Sequence, residues 1–308
     1  MKKQSISIVG ANSFLGRNFY KYIMDMEGME SENIFLYDVQ DKFSDKNENQ
    51  NYEKIDFLNK SSLEKMNFNV DAILVFIGKT GTIVGFEKYA DFIKINEEIL
   101  LNILNCYNEK KSNAKLIYPS TRLVYKNSDI KVKENAEKEL KSVYAITKYA
   151  AEQYIQLYHH AFGLQYCIFR ICVPFGTLLE NNGNYGTFSF FIDNAQKGKN
   201  ISVYGDGSIC KTYTCMGDLC HILFQGVIND KLKSDVFNIG GDSKSLLEIA
   251  NMIAKKYNVE VENTAWPKLA EIVDGGSVTL DSAKLDKIID YTYQTINEEF
   301  LGDRTEEL

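Results

Sequence analysis

A short apolar run, Ser5-Ile6-Ser7-Ile8-Val9, stops at Gly10 and continues as Gly10-Ala11-Asn12-Ser13-Phe14-Leu15-Gly16 before a helical stretch from Arg17 to about Met26. Strand, glycine-bearing turn and helix, in that order, constrain the fold more than any other feature. Gly10 permits a tight turn and Gly16 permits close packing of helix on strand. The helix N-terminus turns N–H groups and the positive end of its dipole toward a pyrophosphate. The spacing is G-x-x-x-x-x-G, with Ser13 at the middle glycine position. A Cβ there crowds the phosphate, although the hydroxyl could donate to it. A plain strand-to-helix turn has the same outline, so the rest of the chain has to decide.

The rest repeats the alternation. Asn33-Ile34-Phe35-Leu36-Tyr37 is a second strand ending in Asp38, an acidic residue that fits adenosine ribose hydroxyls and repels a 2′-phosphate. This favours NAD over NADP, whereas Arg17 could pair with a 2′-phosphate. Residues 41–51 are polar and aperiodic, a surface loop. Tyr52 to Phe57 forms a short third strand with Asp56 at its exit, and Val70 to Ile77 a buried fourth. The fourth opens into the polar loop Gly78-Lys79-Thr80-Gly81-Thr82, at the carboxyl edge where ligands bind in doubly wound sheets. A long helix over about 92–108 carries Asn96. Lys115 to Pro119 is a fifth strand that delivers Ser120 and Thr121 to the same edge, and Gln165 to Ile171 a sixth. The expected fold is α/β: a Rossmann-type doubly wound parallel sheet with a smaller C-terminal α/β substrate-binding domain.

Between the fifth and sixth strands, Ser142 to Gln153 reads as a helix in which Tyr144 and Lys148 stand four residues apart on one face. An ammonium beside a phenol favours the phenolate and readies the hydroxyl for proton exchange near neutral pH. Tyr and Lys are both common here, so the pair alone also fits a core tyrosine beside a solvated lysine.

Composition narrows the alternatives. A net charge of −7 gives no basic face for nucleic acid, and no apolar run approaches the length that spans a bilayer. The start, Met1-Lys2-Lys3, lacks the long apolar run and cleavage region of a targeting peptide. The six cysteines (Cys106, Cys167, Cys172, Cys210, Cys215, Cys220) form no C-x-x-C pair and read as reduced core thiols of a cytoplasmic protein. The three histidines have no ligand spacing, so no metal site is expected.

Taken in order, these motifs resemble the extended short-chain dehydrogenase/reductases, the NAD-dependent nucleotide-sugar epimerases and dehydratases. The glycine loop is similar to that family's T-G-x-x-G-F-x-G. Asp38 resembles its ribose aspartate, Asp56-Phe57 its adenine contact, Phe76-Ile77-Gly78 its loop after the fourth strand, and Asn96 its helix asparagine. Ser120-Thr121-Arg122-Leu123-Val124-Tyr125 looks like S-[ST]-x-x-V-Y, with Tyr144 and Lys148 at the expected distance beyond it. Arg170 to Gly176 resembles R-x-x-N-x-Y-G, Ile201 to Ser208 the V-Y-G-D-G-S segment, and Phe237 to Gly240 the Y-N-I-G segment.

The resemblance implies NAD as cofactor, held by Gly10, Asn12, Ser13, Phe14, Leu15, Gly16, Asp38, Asp56, Phe57, Phe76, Ile77, Gly78, Asn96, Tyr144 and Lys148. It implies Tyr144 as acid/base, Lys148 on the nicotinamide ribose, and Thr121 bonded to the reacting sugar oxygen. It places the nucleotide sugar near Lys79, Thr80, Thr121, Arg122, Val173, Tyr204 and Lys211. Residues 1–172 with about 213–241 would form the cofactor domain, and about 173–212 with 242–308 the nucleotide-sugar domain. A homodimer through the helices at about 92–108 and 144–160 is implied as well.

Two departures bear on substrate. Val173 replaces the usual Asn, and Lys211, a point charge without a fork, stands for an Arg on the diphosphate. A third bears on reaction. The 4,6-dehydratases resemble T-D-E-V-Y, whereas this chain has Arg122-Leu123. Without the carboxylate pair, dehydration is disfavoured. The expected reaction is C4 epimerisation through a transient 4-keto sugar, with a 4-ketoreductase as the alternative and a non-catalytic dinucleotide-binding scaffold as a reading from another class.

Overall fold

The computed structural model describes residues 4–26, 28–44, 51–179 and 186–297. In chain order the first half runs β1 (Ile6–Val9), α1 (Phe14–Met24), β2 (Ile34–Asp38), β3 (Tyr52–Lys54), α2 (Lys60–Leu63), β4 (Ala72–Val75), α3 (Val84–Glu87), α4 (Tyr89–Ile93), α5 (Ile99–Glu109), β5 (Lys115–Thr121), α6 (Val143–Phe162) and β6 (Tyr166–Ile171). The second half adds β7 (Val173–Phe175), α7 (Gly186–Gln196), β8 (Ile201–Tyr204), β9 (Cys210–Cys215), α8 (Met216–Ile228), β10 (Asp235–Asn238), β11 (Asp242–Ser245), α9 (Leu246–Tyr257), β12 (Val261–Thr264), α10 (Lys268–Asp274) and α11 (Ala283–Asp286).

Seven strands form one parallel sheet in the order β10-β6-β5-β4-β1-β2-β3. Side chains alternate across a strand, so neighbouring residues feed two different cores. Ile6, Ile8, Ala72, Leu74, Ile117 and Phe169 join α1 and α8 on one face, while Val9, Ile73, Val75, Leu116, Tyr118 and Ile168 join α5 and α6 on the other. A layer on each face is the doubly wound arrangement, and the chain reverses its direction of travel between β1 and β4. The crevice beyond that reversal, at the carboxyl edge, is where such sheets hold ligands.

After β6 the chain leaves this sheet. β7, β9 and β11 form a three-stranded sheet, and β8 pairs with β12. Phe175, Phe188, Phe191, Tyr213, Ile249 and Ile253 give this second lobe its own core. α8 and β10 return to the large sheet. Among the described residues, no helix is long and apolar enough to cross a membrane.

Three elements differ from the sequence reading. α1 begins at Phe14 rather than Arg17, inside the glycine motif, because Ser13 caps it. β3 ends at Lys54, so Asp56 and Phe57 lie in the turn beyond it. The helix expected over 92–108 is interrupted by a π-helical turn, Lys94–Glu98, that carries Asn96. Of the loop read at 41–51, residues 45–50 lie outside the described residues.

Candidate active site

Gly10 has φ +80°, and a Cβ on it would collide with the backbone nitrogen of Ile77 where β1 and β4 diverge. A Cβ on Gly16 would collide with the carbonyl oxygen of Gly10. Both glycines therefore keep backbone surface open at the reversal point, the cradle a dinucleotide pyrophosphate requires. Ser13 needs no glycine conformation: its φ is −63°, and its Oγ accepts the Gly16 N–H at 3.0 Å. The serine at the middle position is an N-cap that heads α1 with Phe14 and Leu15.

Asp38 is buried at the end of β2. Its Oδ2 accepts the Asn12 N–H at 2.9 Å and its Oδ1 the Val39 N–H at 2.8 Å, which ties the glycine turn to the acidic strand end. The Asn12 side chain turns elsewhere: Nδ2 donates to Lys42 O and Tyr52 Oη, and Oδ1 accepts the Ser44 N–H. Asn12 is therefore engaged on both sides, its N–H with Asp38 and its side chain with the loop after β2. The Phe57 and Phe76 side chains are likewise turned inward. Phe57 is fully buried, and Phe76 stacks edge-on against Phe19 at 5.6 Å. Asp56 is exposed and accepts the Leu58 N–H at 3.1 Å.

Asn96 is buried at the π-turn. Its Oδ1 accepts the Lys79 N–H at 2.7 Å, while Nδ2 donates to Lys79 O and to Thr147 Oγ1, both at 3.0 Å. Both amide hydrogens are committed in these bonds, so the side chain clamps the loop after β4 onto α6. π-turns often mark such sites. Ile77 and Gly78 lie at the exit of that strand, and Lys79 Nζ pairs with Asp91 at 2.5 Å beside exposed Thr80.

At the other side of the edge, Ser142 caps α6 through the Ala145 N–H at 3.1 Å and sets Tyr144 in the first turn. Tyr144 is half-buried, with its ring 6.5 Å from that of Phe92. One turn on, Lys148 is buried with Nζ 3.9 Å from the centre of the Tyr118 ring. Burial lowers the ammonium to about 7, against the opposing pull of Glu152. Thr121 ends β5, buried. Its Oγ1 accepts the Leu123 N–H at 3.3 Å, which leaves its hydrogen for a further acceptor.

The residue after it starts a second cluster. Arg122 Nη2 lies 2.5 Å from Asp274 Oδ1, and Lys211 Nζ lies 3.0 Å from Asp274 Oδ2. Lys211 is 4% exposed, not a surface charge. Burial and the neighbouring Arg122 pull its ammonium down while Asp274 holds it up. Burial would raise Asp274, but Arg122 and Lys211 outweigh it and hold the carboxyl below the usual range. The two cations expected to meet substrate thus share one internal carboxylate. Val173 lies on β7 opposite Tyr213, and Tyr204 stands on β8 with its ring 4.9 Å from Trp266.

The sequence reading missed Asp274, Glu152, Tyr118 and Thr147. Glu152 and Thr147 were findable, because helical spacing sets Glu152 one turn beyond Lys148 and sets Thr147 one turn beyond Tyr144. Asp274 carried no signal but the Gly275-Gly276 that follows it.

The profile of the NAD dependent epimerase/dehydratase family matches residues 6–240. A putative UDP-glucose 4-epimerase of Methanocaldococcus jannaschii is 25% identical over 80% of this chain and 81% of its own length. A CDP-paratose 2-epimerase of Salmonella typhi is 24% identical over 84% and 86%. In fold, the chain is similar to a UDP-glucose 4-epimerase of Thermotoga maritima solved with UDP-glucose, with a TM-score of 0.82, 18% identity and 96% of each chain covered. With the glycine cradle, the buried Asp38 and this match across most of its length, the chain belongs to the NAD-dependent epimerase/dehydratase family, whose members are enzymes acting on sugar nucleotides.

Proposed function

We propose that this enzyme inverts C4 of a nucleotide sugar through a transient 4-keto sugar. The observation that carries the reading is the exit of β5. Elimination of water needs a carboxylate pair there, but Arg122 and Leu123 follow Thr121, and Arg122 is turned into its pair with Asp274. Thr121 and Tyr144 are then the hydroxyls that handle the proton. The 4-epimerase among the relatives supports C4, and the 2-epimerase shows why the carbon has to be tested.

In this reading, Thr121 donates to the sugar oxygen and aims it at Tyr144. Tyr144 takes the proton as the C4–H bond breaks and returns it when the opposite face is reduced. Lys148 in its ammonium form lowers the cost of the phenolate and bonds a ribose hydroxyl. NAD, when bound, supplies hydride acceptance and return. The segments from Val173 to Thr212 and from Asp242 onward hold the nucleotide sugar, with Tyr204 and Val173 lining it. A second copy of the chain packs against the helical stretches at about 92–108 and 144–160, where Ile93, Ile146 and Leu157 are exposed.

An epimerase must keep its reduced cofactor until the keto sugar has turned. The purified protein is expected to carry NAD and to equilibrate a 4-hydroxy nucleotide-sugar pair without added cofactor, assayed over uridine, thymidine, cytidine and guanosine sugars. Protein free of NAD that consumes NADH one-for-one with a 4-keto nucleotide sugar overturns the reading in favour of a 4-ketoreductase.

A further inference from the structure

Behind the reacting edge lies a buried polar junction that none of these roles uses. Glu152 on α6 is fully buried. Its carboxylate accepts a fork from Arg170 on β6, with Nε to Oε1 at 3.0 Å and Nη2 to Oε2 at 2.6 Å, and it also accepts the Ser120 hydroxyl. Ser120 immediately precedes Thr121. Arg170 continues to Tyr125 Oη at 2.7 Å and to Glu134 O at 2.9 Å. Glu152 also stands four residues after Lys148 on the same helix, so both side chains lie along one face.

We propose that Glu152 is a positioning residue: it fixes the end of β5 that carries Thr121 to the helix that carries Tyr144 and Lys148, and it sets a negative charge one turn from the Lys148 amine. The proposal rests on the reading of Tyr144 and Lys148 as the catalytic pair. A buried Arg–Glu pair as such adds little net stability. This one differs in where its carboxylate sits, between the strand end and the lysine.

The groups facing Lys148 divide by sign. Tyr118 from β5 offers its ring, and Tyr144 stands one turn earlier on α6. Glu152 supplies the negative charge on its own helix, and Glu97 from the π-turn acts on Tyr118 from farther off. Arg170 from β6 is the nearby cation, held by the same carboxylate. Removal of the Glu152 charge leaves burial unopposed and uncovers Arg170. Both effects push the lysine to lose its proton at lower pH.

The test is NAD⁺ binding, titrated by calorimetry from pH 6 to 9, which needs no substrate. Lys148 bonds the ribose as an ammonium, so wild-type affinity falls as pH rises through the lysine's value. Glu152→Gln is expected to move that midpoint down by about one pH unit and to weaken binding about tenfold at pH 8. Glu152→Asp, which keeps the charge, restores the midpoint. If Glu152→Gln fails to fold, Glu152→Gln/Arg170→Met removes both partners of the buried pair and is expected to show a smaller shift in the same direction, since burial is left unopposed but no cation is uncovered. A flat wild-type profile, or an unchanged midpoint in a folded variant lacking the charge, overturns the proposal. Lys148→Met separates the two readings: undiminished NAD⁺ affinity in that variant refutes the lysine's ribose contact itself, and Glu152's role falls with it.

Discussion

Two charged clusters flank Thr121, and they are built differently. On the α6 side, Lys148 is buried against a ring, Glu152 is held by a fork and a hydroxyl, and Asn96 clamps the facing loop. These groups stand on strands and helices of one sheet, and packing leaves them little freedom. On the second-lobe side, Arg122 and Lys211 converge on Asp274 at the end of the short helix α10, 152 residues away from Arg122. Here opposite charge holds the parts together, and a carboxylate balances only one of two cations.

The largest effect should come from the first cluster. Tyr144→Phe removes the phenolic hydroxyl and keeps the ring against Phe92, so turnover should drop by about 10³-fold or more, with NAD affinity within a few-fold of wild type. Steady-state kinetics alongside an NAD titration checks both halves. Activity above a few per cent of wild type would remove Tyr144 from the mechanism.

The second cluster should respond in stability. Asp274→Ala leaves two buried cations without their counter-ion and should cost about 3 kcal/mol, read as a lower melting temperature. The sign with pH follows from the carboxyl being held below its ordinary value. Its stabilisation is fully present above the unfolded value of about 4 and is lost as pH falls through the depressed one. Wild type should therefore lose stability in that acid window more steeply than Asp274→Ala. Equal acid slopes would mean that the triad contributes nothing to folding.

The same contrast explains what could be read from the chain. The parallel sheet was legible because strands such as Ala72–Val75 and Tyr166–Ile171 are continuous apolar runs followed by polar loops. The glycine turn, Asp38, Thr121 and the Tyr144–Lys148 spacing were legible because each is a local pattern. The start of α1 was misplaced because a serine reads as a flawed glycine motif until its capping bond is seen. The interruption at Asn96 left no trace, since a π-turn uses ordinary helix formers. Asp274 could not be found because its partners are set by tertiary packing alone. The buried state of Lys211 is a consequence of that pairing, and a lysine after Cys210 gave no hint of it.

A smaller effect would sharpen the comparison within the cofactor half itself. Asp38 closes the glycine turn through the Asn12 N–H, and in the proposed reading its carboxylate also takes the adenosine ribose hydroxyls. Asp38→Ala removes the ribose acceptor and the repulsion of a 2′-phosphate together. The ratio of NAD to NADP affinity should fall about tenfold, mainly through weaker NAD, because the loosened turn also costs NADP part of its binding. Asp38→Asn divides the two contributions. The amide oxygen can still accept the Asn12 N–H, so the closure of the turn is kept while the charge and the acceptor for the Val39 N–H are lost. NADP affinity should then rise above that of wild type, which the alanine variant cannot achieve to the same extent. Titration of both cofactors against the three proteins decides the point. If wild type already prefers NADP, Asp38 does not read the ribose, and Arg17 on the first turn of α1 becomes the residue to test.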